Sequence, residues 1–98
     1  MTKDQLAKRI AELALLRGEF TLRSGRKSNY YLDKYLFETQ PDVLKALGEM
    51  FASRIPEGVD RLAGPELGAI SLAAAASMAS GMPFVIVRNQ KKGYGSGK

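Results

Sequence analysis

The sequence contains no cysteine. Disulfides, thiolate nucleophiles and cysteine metal sites are therefore excluded within it. It contains no histidine either. The commonest general base and transition-metal ligand is thus missing, and no Ser-His-Asp triad can form. Long apolar runs are also missing. The least polar stretch, Ala69 to Met82, carries three serines and is too short to span a membrane. It reads as a buried helix. No apolar block follows the charges of the opening Met-Thr-Lys-Asp-Gln, so no secretory leader is expected and the expected location is the cytoplasm. The chemistry must rest on hydroxyls, carboxylates, Lys, Arg and backbone amides.

What is present is ordinary in bulk. The chain has 98 residues, 45% of them hydrophobic and 26% charged, which makes one domain at most, with a modest core. Its net charge is +5, and a positive excess favours anionic partners. Nucleic acid and a phosphorylated metabolite both fit that excess, and where the cations sit decides between them.

Local patterns give an element order. Thr2 and Gln5 match the capping box. Leu6, Ile10 and Leu13 continue at helical spacing, predicting a helix over about Lys3 to Arg17, with Gly18 as its stop. Two short strands, Glu19 to Leu22 and Asn29 to Asp33, flank Arg23-Ser24-Gly25-Arg26-Lys27-Ser28 and predict a hairpin with an open, cationic loop. A second helix is predicted over about Pro41 to Arg54, with Thr39 as cap and Asp42 at its positive end. A strand at Val59 to Ala63, a turn at Gly64 to Gly68, a small-residue helix at Ala69 to Ser80 closed by Gly81, and an apolar strand at Pro83 to Val87 then form one βαβ unit. Such crossovers are nearly always right-handed. A strand as apolar as Phe84-Val85-Ile86-Val87 is expected to be buried on both faces. That needs neighbouring strands, so further βα units of a doubly wound α/β domain are expected to follow.

Three elements are candidates for chemistry, each with a plainer alternative. The Gly64 to Gly68 turn follows a strand and precedes a helix, where open α/β sheets bind ligands and free amides meet anions; equally, Gly-Pro makes a tight corner. Arg23, Arg26 and Lys27 can grip a carboxylate or phosphate, and Tyr30 and Tyr31 can stack on a planar ring. The alternative is a solvated hairpin tip. Arg88, Lys91, Lys92 and Lys98, spaced with glycines, can close over a polyphosphate, or form a basic end of no function. Asp33, Glu38, Asp42, Glu49 and Asp60 read as scattered surface charges, and no metal site of the chain's own is expected. Glu66 differs, because it sits in the ligand-facing turn.

Taken in order, three stretches resemble one family. They are Phe20-Thr21-Leu22-Arg23-Ser24-Gly25-Arg26-Lys27-Ser28-Asn29-Tyr30-Tyr31-Leu32-Asp33, then Ala63-Gly64-Pro65-Glu66-Leu67-Gly68-Ala69-Ile70, then Val87-Arg88-Asn89-Gln90-Lys91-Lys92-Gly93-Tyr94-Gly95. Together they are similar to the hood hairpin, the pyrophosphate-binding turn and the catalytic loop of orotate phosphoribosyltransferases, in the amino-terminal half of that family. The resemblance implies an incomplete type I phosphoribosyltransferase fold: a parallel sheet with flanking helices, plus a small amino-terminal hood. Residues 1–40 would form the amino-terminal helix and hood hairpin, and residues 41–98 the first part of the core, ending inside the catalytic loop.

The resemblance also implies a reaction, in which orotate and phosphoribosyl pyrophosphate give orotidine monophosphate and pyrophosphate, in pyrimidine biosynthesis. It implies magnesium bound with the phosphoribosyl donor, and a homodimer whose loops reach into each other's sites. Carried over by position, Arg88, Lys91 and Lys92 would be catalytic. Arg23, Ser24, Gly25, Tyr30, Tyr31, Gly64, Pro65, Glu66, Leu67, Gly68 and Tyr94 would bind substrate. The chain departs from the family at several points. Arg23 replaces a frequent Lys, Asn89 another Lys, and Tyr94 a His found in some members. Glu66, Leu67 and Gly68 stand where others have a Tyr-Lys pair. The family's acidic, Thr- and Gly-rich ribose-phosphate signature would lie beyond Lys98, so the 98 residues alone are expected to be inactive. Truncation and cleavage after Lys98 both fit that ending. The rival readings are a small basic nucleic-acid-binding protein, which expects salt-sensitive binding, and a phosphoribosyltransferase-like regulator without turnover.

Overall fold

The computed structural model describes residues 1–89. They divide into two compact units, Met1–Val43 and the residues from Leu44 onward.

In the first unit, α1 spans Lys3–Ala14. Its start is held as the sequence predicts: Gln5 N donates to Thr2 Oγ1 at 3.1 Å, and Thr2 N donates to Gln5 Oε1 at 2.9 Å. Its end is earlier than predicted. The chain leaves the helix at Leu15 and enters β1, Leu15–Thr21, which pairs antiparallel with β2, Lys27–Leu32. Leu15 lies opposite Leu32, and Leu16 opposite Tyr31. Pairing of these residues across the hairpin outweighs their helical spacing. Gly18 is therefore not a helix stop. It lies where the register shifts between Arg17 and Phe20, with φ of 152°, as a residue in a β-bulge.

A short helix that the sequence reading omits, α2 at Tyr35–Glu38, follows. Asp33 Oδ1 accepts from Tyr35 N at 3.2 Å at its start. Thr39 does not cap the next helix: its hydroxyl donates back to the Tyr35 carbonyl oxygen at 2.5 Å. Glu38 corrects the reading of scattered surface acids, because it is only 3% exposed. Lys34, one turn earlier, places Nζ 3.9 Å from its Oε2. Leu6, Ala14 and Val43 are the buried apolar residues of this unit.

α3, Pro41–Ala52, begins in the first unit and runs into the second. Asp42 in its first turn accepts from Arg9 Nε at 3.1 Å. That hydrogen bond, reinforced by the charge of Arg9, holds the Asp42 carboxyl below its ordinary value of 3.8. Ionised Asp42 therefore favours the folded chain above the unfolded pKa. The contribution disappears as pH falls through the depressed folded value. Both side chains are well exposed, so the effect on stability is small. In an Arg9→Ala variant, the Asp42 carboxyl followed by NMR is expected to titrate at higher pH than in the parent.

The second unit holds the βαβ element. β3 spans Leu62–Pro65, α4 Ile70–Ser80 and β4 Phe84–Val87. β3 and β4 are parallel, with Leu62 opposite Phe84 and Pro65 opposite Val87. The first strand thus lies further along the chain than Val59 to Ala63, and it takes in the Gly64-Pro65 pair assigned to the turn. α4 ends at Gly81, which adopts the left-handed conformation at φ 76°, as a C-terminal glycine does. Ser77 Oγ donates to Met82 O at 2.6 Å and holds the exit toward β4.

Small residues let these elements approach closely. A Cβ on Gly64 would lie 2.8 Å from Ala73 Cβ and 3.0 Å from Ala69 O. A Cβ on Gly48 of α3 would lie 2.6 Å from Ala75 O. Ala73 and Ala76 are buried. β4 does not have the burial expected of it: Val85, Ile86 and Val87 are 46%, 51% and 45% exposed. Among the described residues only β3 pairs with it and α4 packs against it, which leaves it partly exposed.

Candidate functional site

In a parallel βαβ unit both strands end on the same side, and their carboxyl ends carry the connecting loops. Here those loops are the turn after β3 and the segment after β4. The turn holds Glu66, Leu67, Gly68 and Ala69 and leads into α4, with a cis peptide between Glu66 and Leu67. Arg88 directly follows β4 and is exposed. The structure therefore brings Pro65, Glu66 and Arg88 to one end of the sheet. Two hydrogen bonds join the loops there. Glu66 N donates to Val87 O at 2.9 Å, and Glu66 Oε1 accepts from Asn89 N at 2.7 Å. Sequence reasoning placed Glu66 in the turn but had no signal for this second bond, because it links residues 23 positions apart.

Gly64 plays a different part from the one its sequence context indicates. It is buried beneath α4, so its missing side chain serves helix-on-strand packing, leaving no room for a ligand on that face. Leu67 is largely exposed. Lys91, Lys92 and Tyr94 lie outside the described residues.

The hairpin belongs to the other unit. Leu22 N donates to Arg26 O and Gly25 N to Leu22 O, both at 2.8 Å. Gly25, with φ of 87°, makes the reversal. Arg23, Ser24, Gly25 and Arg26 are all exposed at this tip, so the two arginines are open to solvent and to anions. Lys27 lies 3.7 Å from Glu19 across the hairpin. The two tyrosines do not form one platform. Successive strand residues point to opposite faces, and Tyr31 stands opposite Leu16 while Tyr30 stands opposite Arg17. Tyr31 also meets Phe20, with ring centroids 5.8 Å apart. Tyr30 and Tyr31 are 55% and 45% exposed, so each face offers one ring.

A separate groove of about 490 Å³ in the second unit is lined by Phe51, Ile55, Leu62, Leu72 and Ala76 among others. It is mostly apolar and includes none of the candidate residues, so it is not taken as the site. Among the described residues no three acidic side chains converge on a metal position. No described helix is long and apolar enough to cross a membrane.

No family model matches the chain. Individual relatives do. An orotate phosphoribosyltransferase of Methanocella arvoryzae is 60% identical over 83% of this chain and 46% of its own length. One of Methanopyrus kandleri is 43% identical over 100% of this chain and 54% of its own length. The chain belongs to the orotate phosphoribosyltransferase family. It spans about half the length of the curated relatives it matches. Among solved structures, orotate phosphoribosyltransferase from Mycobacterium tuberculosis superposes with a TM-score of 0.75 at 28% identity, over 93% of this chain and 54% of the other. The α/β fold expected from the sequence, part of a type I phosphoribosyltransferase domain, agrees with such neighbours. Within this family member, the β3 turn and Arg88 stand at the end of the parallel sheet, and the Arg23 to Arg26 tip stands in the hairpin unit.

Proposed function

We propose that this chain is part of an enzyme that transfers a phosphoribosyl group from phosphoribosyl pyrophosphate to orotate, in pyrimidine biosynthesis. The observation that carries the reading is 43% identity over the full chain to an orotate phosphoribosyltransferase, together with the placement of Arg88 beside the β3 turn. In the reaction, a ring nitrogen of orotate gives up its proton, taken up by solvent or the departing pyrophosphate, and forms a bond to the anomeric carbon of the sugar. The bond from that carbon to pyrophosphate oxygen breaks, and pyrophosphate leaves with the electron pair. Negative charge grows on the leaving group. A guanidinium held near it stabilises that charge more in the transition state than in the ground state. This role falls to Arg88, with Lys91 and Lys92 beside it in sequence. No protein nucleophile is needed, so the lack of cysteine and histidine is no obstacle.

The hairpin tip, Arg23 to Gly25, and one of the two tyrosine faces would hold orotate by charge and stacking. Magnesium, when bound with the donor, supplies further positive charge to the pyrophosphate; we assign none of the described residues to the ion. A cytoplasmic homodimer completes the proposal. The test is an assay of the full-length gene product with orotate and phosphoribosyl pyrophosphate, following orotidine monophosphate. Formation of the nucleotide supports the reading. Orotate binding without product would favour a non-catalytic regulator, and salt-sensitive RNA or DNA binding with no affinity for orotate would favour the nucleic-acid reading.

A further inference from the structure

We infer that Glu66 is a positioning residue for Arg88. This inference rests on the proposed transfer reaction and deepens it. Arg88 has one backbone neighbour on each side, and Glu66 holds both. Its own amide donates to the Val87 carbonyl oxygen at 2.9 Å, and its carboxylate accepts the Asn89 amide at 2.7 Å. The first of these bonds continues the β3–β4 ladder by one step, beyond the Pro65–Val87 pair. The second lies past the ladder and depends on a side chain. It ties the peptide after Arg88 directly to the turn after β3.

The chemistry of the turn makes this use of a carboxylate specific. A carboxylate facing a bound pyrophosphate would repel it. Glu66 instead has one oxygen on a backbone N–H of the opposite loop. A hydrogen bond from an amide to an ionised acceptor is short and stronger than a neutral one, and 2.7 Å fits that class. Glu66 is partly buried while Asn89 is exposed, so the bond lies at the surface and its strength rests on its short length and the charge of its acceptor. The side chain thus converts the rigidity of the β3 ladder into a fixed backbone at Arg88. Positioning at this level matters, since a displacement of about 1 Å can cost a catalytic group ~10²-fold in rate.

The experiment uses the full-length protein with Glu66→Ala and Glu66→Gln, read by amide hydrogen exchange and by steady-state kinetics. Gln keeps an acceptor oxygen and removes the charge. In Glu66→Ala, the Asn89 amide is expected to exchange about tenfold faster or more, while β3 and α4 keep their protection, which separates loss of the clamp from loss of the fold. kcat is expected to fall by ~10²-fold with KM for orotate unchanged. Glu66→Gln is expected to restore most of both. Unchanged Asn89 exchange in Glu66→Ala overturns the clamp. Faster exchange with unchanged kcat overturns the positioning role, and Gln as impaired as Ala shows that charge rather than an acceptor is required, which overturns it too. If the parent protein makes no orotidine monophosphate, the proposed reaction fails, and the exchange data still decide whether Glu66 holds Asn89.

Discussion

On the proposed reading, Arg88→Ala in the full-length enzyme lowers kcat for orotidine monophosphate by ~10²-fold or more, the loss typical of a donor aimed at transition-state charge. The size follows from where the residue stands. It directly follows β4, is exposed, and lies beside the turn after β3. A guanidinium offers several N–H donors in a fixed plane and can grip two oxygens of a phosphate at once. Arg88→Lys keeps the charge and loses the fork, so it is expected to recover only part of the rate. The orotate contacts are assigned to the hairpin, so KM for orotate is expected to stay near the parent value while kcat falls. Steady-state kinetics of the three proteins check this. Turnover near the parent value in Arg88→Ala would remove the residue from the reaction.

The largest expected effect on stability is at Gly48. Alanine is the better helix former, and in an open helix Gly→Ala would gain about 1 kcal/mol. Here the new methyl would stand 2.6 Å from Ala75 O, 2.7 Å from Ala75 C and 2.9 Å from Ala75 Cβ. Two of those atoms are backbone, so the contact cannot be relieved by turning a side chain. α4 must move off α3, and overpacking of this kind costs about 1–3 kcal/mol. The cost exceeds the propensity gain, so Gly48→Ala is expected to lower the thermal midpoint and Gly48→Val to lower it further. Calorimetry or circular dichroism of the full-length protein measures both. A midpoint raised in Gly48→Ala would mean that the two helices separate without penalty.

What was legible in the sequence was mostly local. The Thr2–Gln5 capping box and the Gly81 stop depend on residues a few positions apart, and both form as written. The hairpin and the parallel βαβ unit were legible because turn residues and a change of hydrophobic period mark them. The missed features come from contacts between distant residues. Leu15 and Leu16 fit the helix pattern, yet they pair with Leu32 and Tyr31. β3 begins at Leu62 because its partner, Phe84, sets the register. A lone Glu38 reads as surface charge, and only the fold buries it. For the candidate site, the residue types and their order along the chain were readable, whereas the Glu66–Asn89 bond and the covering of Gly64 by α4 were not.

Positions 30 and 31 share a residue type and a peptide bond, but they face different neighbourhoods across the hairpin. Tyr30 answers to Arg17, and Tyr31 to Leu16 and Phe20. In the descent of such a chain, the two codons are therefore free to drift under separate constraints. A change that preserves the contact of Tyr31 with Phe20 says nothing about what Tyr30 must preserve, and a duplicated letter in the sequence encodes two independent inheritances.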